Sequence, residues 1–173
     1  MTHSVHVLDF RRYRARSIQR TGFLKYWLFK SEPDAYSIDD LERDKVEPWT
    51  GIRNYQVRNM IRDDMKVGDE ILFYHSSCKV PGVVGVARIA SEAKADPLQF
   101  DAKSDYFDAK ANVDDPRWLL VDVEFVRKLK RVIPLTELKQ HPGLEDFVLN
   151  RRGNRLSIFP VSRDHHKLIL SLE

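Results

Sequence analysis

The sequence predicts an α+β domain: a mixed sheet of short strands, curled towards a small barrel, with short helices around it. Three observations carry this expectation. Short apolar or alternating runs recur between turn signals and outweigh the helical periodicities. No linker, repeat or low-complexity segment divides residues 26–173. A chain of 173 residues is long enough for one well-buried core and marginal for two.

Taken in order, Tyr26–Ser31 alternates and stops at Glu32-Pro33. Ser37 with Asp40 three residues on resembles a capping box, opening a helix with Ile38 and Leu41 inward. Asn54 can cap a second helix whose apolar face is Val57, Met60 and Ile61. The Met65–Asp69 turn launches a strand over Glu70–Ser76, and Pro81-Gly82 opens another over Gly82–Ala90. Asp96–Pro116 is polar and reads as a long loop containing a Tyr106-Phe107 pair. Trp118–Arg131 alternates as a long strand, with Leu119, Val121, Val123 and Phe125 on one face. Pro134 suits the first position of a helix bearing Leu135 and Leu138. A further short helix is expected over Leu144–Leu149, a strand over Leu156–Phe159, and a closing helix capped by Ser162 with His165, Leu168 and Ile169 inward.

Charge is unevenly placed. The net charge is +3, but residues 1–25 hold six bases against one acid, whereas residues 26–173 hold 23 bases and 25 acids. The body is therefore ill suited to tight binding through many phosphate contacts, which depends on counterion release. The region 1–25 is expected to be a basic, disordered N-terminal extension; an over-long start, a phosphate-binding arm and an organellar presequence also fit its composition. No apolar run approaches the ~20 residues needed to span a bilayer. One cysteine, Cys78, excludes an internal disulfide and a multi-thiolate cluster.

Catalytic constellations are weak. His75 and Cys78 in F-Y-H-S-S-C are two ligands, too few to close a zinc site. Strand alternation also separates His75 from Ser76, so a nucleophile pair is not favoured. The G-V-V-G run lies inside a strand, where glycine marks a bulge or close backbone approach. No catalytic residue, metal or cofactor is expected.

Four segments instead gather aromatic and polar residues near strand ends: Y-W-L-F-K-S-E-P at 26–33, E-P-W-T-G-I-R-N-Y-Q-V-R-N at 47–59, F-Y-H-S-S-C at 73–78 and R-R-G-N-R-L-S-I-F at 151–159. Singly, a buried Trp is usually core and an Asn before a helix is usually a cap. Together they supply what a flat heterocycle needs: rings for stacking, polar groups for its edge and cations for phosphate.

These segments, with the M-K-V-G-D turn, resemble the EVE domain family over roughly 26–172. The resemblance implies a PUA-like mixed β pseudo-barrel of five to six strands with flanking short helices, so 26–173 is expected to be one EVE domain. It also implies a non-enzymatic reader that takes a modified base of RNA or DNA into a pocket, acting as a monomer in the cytoplasm, or in the nucleus of a eukaryote. Carried onto this chain, the pocket is expected at Trp27, Lys30, Ser31 and Glu32; at Trp49, Gly51, Ile52, Arg53, Asn54 and Tyr55; at Tyr74, His75, Ser76 and Cys78; and at Arg155, Leu156 and Ser157. Trp49 is expected to stack on the base, Gly51 to let the backbone approach it, and Asn54 and Ser31 to bind its edge. Lys30, Arg53 and Arg155 are the expected phosphate contacts. A small nucleic-acid-directed hydrolase using the same cavity and a protein-interaction module are the alternatives.

Overall fold

The computed structural model describes residues 23–173. Most of the basic extension, residues 1–22, lies outside the described residues, and with it the expectation of disorder. Lys25 is already tied to the body. Its N–H donates to Asp69 Oδ1 (3.3 Å), its carbonyl accepts from the Glu70 N–H (3.1 Å), and its ammonium pairs with Asp64 (2.8 Å).

The strands are β1 (Tyr26–Ser31), β2 (Val46–Pro48), β3 (Glu70–His75), β4 (Gly82–Ile89), β5 (Lys94–Ala95), β6 (Leu119–Leu120), β7 (Asp122–Pro134) and β8 (Ile158–Val161). The helices are α1 (Ile38–Asp44), α2 (Tyr55–Asp63), α3 (Leu135–Gln140) and α4 (Arg163–Ser171). Six strands form one mixed, half-barrel sheet in the order β2-β7-β4-β3-β1-β8, and β5-β6 form a separate pair. Only the β1–β3 pairing is parallel; the other ladders are antiparallel.

Alternation along the central strands feeds two cores. Trp27, Phe29, Ile71 and Phe73 face one side, where α1 and α2 bring Ile38, Leu41, Val57 and Ile61. Leu28, Leu72 and Tyr74 face the other, covered by Leu138, Phe147 and Ile169. Because both faces are covered, β1 and β3 read as nearly continuous apolar runs. Gly85, from the G-V-V-G run, sits at a register shift between β4 and β7. A Cβ there would fall 2.6 Å from Ile38 Cδ1, so glycine is what lets α1 lie against β4.

Three expectations need correction. The strand expected from Trp118 is split: Leu119 and Leu120 pair with β5, and the chain then turns to pair with β4 and β2 from Asp122. The helix expected over Leu144–Leu149 is a series of turns ending in a 3-10 turn at Val148–Asn150, shaped by Asn150 Nδ2 donating to the Leu138 and Leu144 carbonyls. On α4 the buried histidine is His166, in step with Ile169, while His165 is partly exposed beside Asp146. No helix among the described residues is long and apolar enough to cross a membrane.

Candidate functional site

A cleft of about 600 Å³ opens where β1 ends. Its floor is Lys30, Ser31 and Glu32, delivered by β1, with Ser157 beside them at the entry to β8. The Lys30 N–H donates to the Ser157 carbonyl (2.8 Å), which holds these two segments together. One wall is Glu47, Pro48 and Trp49, from β2 and the loop after it, continuing through Thr50, Gly51 and Ile52. Tyr36 and Tyr106 complete the rim.

Trp49 is fixed by its neighbours. Its N–H donates to the Val121 carbonyl (2.9 Å). Its ring lies 5.5 Å from Phe29 and 5.7 Å from Phe73, nearly perpendicular to the latter, and 6.3 Å from Tyr36 at 83°. These apolar contacts orient a partly exposed indole at the cleft.

The next residues are held by Asp96, whose side chain is fully buried. Its Oδ2 accepts from the Gly51 N–H (2.9 Å) and from Arg53 Nη1 (2.7 Å), while Oδ1 accepts from the Leu98 N–H (2.9 Å). A buried carboxylate is tolerated here because it has a charged partner and several donors. Arg53 in turn donates through Nε and Nη2 to the Tyr106 carbonyl (2.9 and 2.5 Å). The long loop is thus bolted to the cleft, and the Tyr106 ring rests on the Gly51 backbone.

The polar groups have defined roles. Ser31 Oγ donates to the Tyr36 carbonyl (2.6 Å), so a hydroxyl with its proton committed offers only lone pairs to a ligand. Lys30 is half-buried over the Phe159 ring (5.5 Å), and burial lowers its pKa. Burial raises the pKa of Glu47, with Asp44 and Asp122 adding repulsion. Tyr36 is pushed above the usual phenol range by burial, then by Glu47 and by its bond to Asp44. The cleft therefore combines several acceptors and an aromatic wall, while the Lys30 ammonium lies over Phe159 of the second core.

A family model described as the EVE domain matches residues 25–172. The chain belongs to the EVE domain family. Chicken (Gallus gallus) thymocyte nuclear protein 1 is 42% identical over 170 residues, covering 86% of this chain and 68% of that protein. The human (Homo sapiens) protein of the same name is 41% identical over 167 residues, covering 86% and 73%. Among solved structures, a Pseudomonas putida protein superposes with a TM-score of 0.81 at 48% identity, covering 85% of this chain and 98% of that one. Human THYN1 protein, solved in complex with 5-methylcytosine-containing DNA, superposes with a TM-score of 0.80 at 41% identity, covering 86% and 96%.

In this EVE domain the expected site residues divide. Lys30, Ser31, Glu32, Trp49, Gly51, Ile52 and Ser157 line one cleft. Trp27 does not: it stands at the start of β1, far along the strand from the cleft, buried in the core with its indole N–H donating to Asp69 (3.2 Å). Asn54 does not meet the cleft either; its Oδ1 caps α2 by accepting from the Val57 N–H (3.1 Å). Arg53, expected at phosphate, spends its donors on Asp96, Tyr106 and the Ile52 carbonyl. Gly51, expected to admit a ligand, admits Tyr106.

The F-Y-H-S-S-C segment supports the site from behind. His75 Nε2 accepts from the Ile38 N–H (3.0 Å), and burial lowers its pKa despite the opposing charge of Asp39. The Ser76 N–H donates to the Ser31 carbonyl (2.8 Å). Tyr74 is buried on the far core, its hydroxyl pKa raised by burial to about 12. Cys78 is partly exposed beyond the strand end and lies outside the cleft lining. Arg155 is exposed, Leu156 packs between the two cores, and Tyr55 lies on Trp118. Among the described residues no cluster of three or more His, Cys, Asp or Glu side chains is arranged to hold a metal.

Tyr36, Glu47, Pro48, Thr50 and Tyr106 are cleft residues that sequence reasoning missed. Glu47, Pro48 and Thr50 stand inside a quoted motif, flanking its Trp. Tyr36 follows K-S-E-P by three residues. For Tyr106 the signal was indirect: an exposed aromatic pair in a polar loop.

Proposed function

We propose that this chain binds a modified nucleobase of a nucleic acid, received in the cleft against Trp49 and released unaltered. The observation that carries the reading is the lining itself. The aromatic side chain of Trp49, held by Phe29 and Phe73, shares the cleft with the acceptors Ser31 and Glu47. Stacking supplies about 1–3 kcal/mol per base and tolerates many bases; the polar edge supplies discrimination. The acceptors Ser31 and Glu47 suit an exocyclic amino group, such as an aminopyrimidine presents. The THYN1 complex with 5-methylcytosine DNA supports the same ligand class. Binding without turnover fits the cleft, since the nearest histidine of the motif, His75, already uses Nε2 to accept the Ile38 N–H.

The three tryptophans give a direct test. Trp27 and Trp118 have their indole N–H groups bonded to Asp69 and Asp108, whereas Trp49 lines the cleft. Titration with 5-methyl-2′-deoxycytidine, followed by NMR of the indole resonances, is expected to move Trp49 most. Mass spectrometry of the nucleoside afterwards is expected to recover it unchanged. A shift at Trp27 or Trp118 with Trp49 still would contradict the cleft assignment, and a new product would contradict the absence of turnover.

A further inference from the structure

Of the residues expected to meet phosphate, Arg53 is committed to Asp96 and Tyr106, the Lys30 ammonium lies over Phe159, and Arg155 stands exposed outside the lining of the first cleft. The backbone of a bound strand therefore has use for further cations. A second cleft, of about 290 Å³, supplies them. It is lined by Tyr55, Arg58, Lys110, Arg117, Asn112 and Asp115, between the start of α2 and the end of the long loop. Arg58 Nη1 donates to the Arg117 carbonyl (3.0 Å), and Arg117 Nη2 to the Lys110 carbonyl (3.4 Å), so the loop is held against α2. Arg117 also lies 3.4 Å from Asp108. The Lys110 ammonium makes no hydrogen bond or ion pair among the described residues and projects from an exposed side chain. Three cations against Asp115 and Asp108 leave this cleft weakly positive on a body that carries more acids than bases.

The two clefts are joined by one stack. The Arg53 guanidinium lies 5.4 Å from the Tyr106 ring at the first cleft and 5.6 Å from Trp118. Trp118 packs on Tyr55 at 4.8 Å, and Arg58 sits 5.2 Å over Tyr55 at the second cleft. Nucleotides advance about 3.4 Å along each strand of a duplex, so this ladder spans only a few of them.

We propose that the second cleft is a subsite for the backbone phosphate of a nucleotide flanking the captured base, with Lys110, Arg58 and Arg117 as its cations. This rests on the base-binding reading above and extends it: the ligand is a strand, not a free nucleoside. Phosphate contacts position a strand without reading its sequence, so the subsite adds affinity and register while the first cleft supplies discrimination.

The experiment compares wild type with Lys110→Ala and Lys110→Glu, chosen because this side chain is exposed and unbonded. Binding of 5-methyl-2′-deoxycytidine, of a short DNA carrying one 5-methylcytosine, and of its unmodified twin is measured over a salt series. Lys110→Ala is expected to weaken DNA binding by about three- to tenfold at low salt and to reduce the slope of log K against log salt by about 1. Lys110→Glu goes further, and nucleoside affinity stays as in wild type. Undiminished DNA affinity and slope in both variants, with discrimination intact, would overturn the subsite alone. A wild type that does not discriminate the modified DNA overturns the base reading and the subsite with it.

Discussion

The Tyr106 ring lies on the backbone of Gly51 so closely that a Cβ at position 51 would stand 2.9 Å from Tyr106 Cζ. Gly51 also has φ +82°, a left-handed conformation that costs other residues about 1–2 kcal/mol. Gly51→Ala is therefore expected to lose roughly that stability in chemical denaturation and to push Tyr106 off the rim of the cleft. Adding Tyr106→Ala removes the contact but not the backbone strain. The double variant is expected to keep most of the stability deficit of Gly51→Ala, and full recovery would show that contact, not conformation, demands glycine.

Asp96 joins the Trp49–Arg53 loop to the long loop through Gly51, Arg53 and Leu98. Asp96→Ala leaves Arg53, whose side chain is one-fifth exposed, without its carboxylate. Partial solvation of Arg53 softens the penalty, so the expected loss is roughly 2–4 kcal/mol in denaturant unfolding. Base binding should fall as well, because Gly51 and Tyr106 lose their common anchor. Unchanged stability would mean that the loop is held by its aromatic contacts alone.

Asn54 separates a cap from a reader. Its side chain accepts from the Val57 N–H and lies outside the cleft lining. Asn54→Ala is expected to cost about 1 kcal/mol of stability, while Asn54→Ser keeps most of it. Neither should alter the ratio of modified to unmodified DNA affinity at a temperature where both variants are folded. A changed ratio would restore Asn54 to the recognition edge.

His166 gives the fold a pH dependence. Its side chain is buried beside Tyr26, 4.2 Å between ring centroids, and burial lowers its pKa from 6.5 to about 4. Glu70 approaches within 3.4 Å, but desolvation dominates and the ring is neutral at pH 7. Above pH 6.5 neither folded nor unfolded chain carries the proton. Between 6.5 and 4 the unfolded chain binds it and the folded chain does not, so stability falls as pH falls, by at most about 1.4 kcal/mol per pH unit. His166→Leu should remove this component, visible as a flatter pH profile than wild type over that window.

Much of this was legible beforehand. The caps at Ser37, Asn54 and Ser162 were read correctly because a cap is a local side-chain bond, and all three accept from the backbone N–H three residues on. Trp49 and Lys30–Ser31 reached a common cleft because both stand where strands end. Trp27 shares the face of Phe29 and Ser31 but stands at the other end of β1, because alternation gives the face of a residue and not its depth beneath the packed helices. Arg53 was misread because its partners, Asp96 and Tyr106, lie some 40 to 50 residues away in sequence. The 144–149 segment looked helical by spacing, yet long-range packing of Leu144 and Phe147 with Asn150 holding the turns decided its conformation.

The central claim is that Trp49 and the polar groups facing it recognise a modified base. The most direct measurement is the affinity for DNA carrying a single 5-methylcytosine and for its unmodified twin, in wild type and in Trp49→Ala. Circular dichroism establishes beforehand that the variant is folded, since Trp49 also packs on Phe29 and Phe73. The expected result is a clear preference for the modified strand in wild type, and in Trp49→Ala a loss of about 1–3 kcal/mol in affinity for that strand. A folded Trp49→Ala protein that keeps the wild-type affinity for the modified strand would contradict the account.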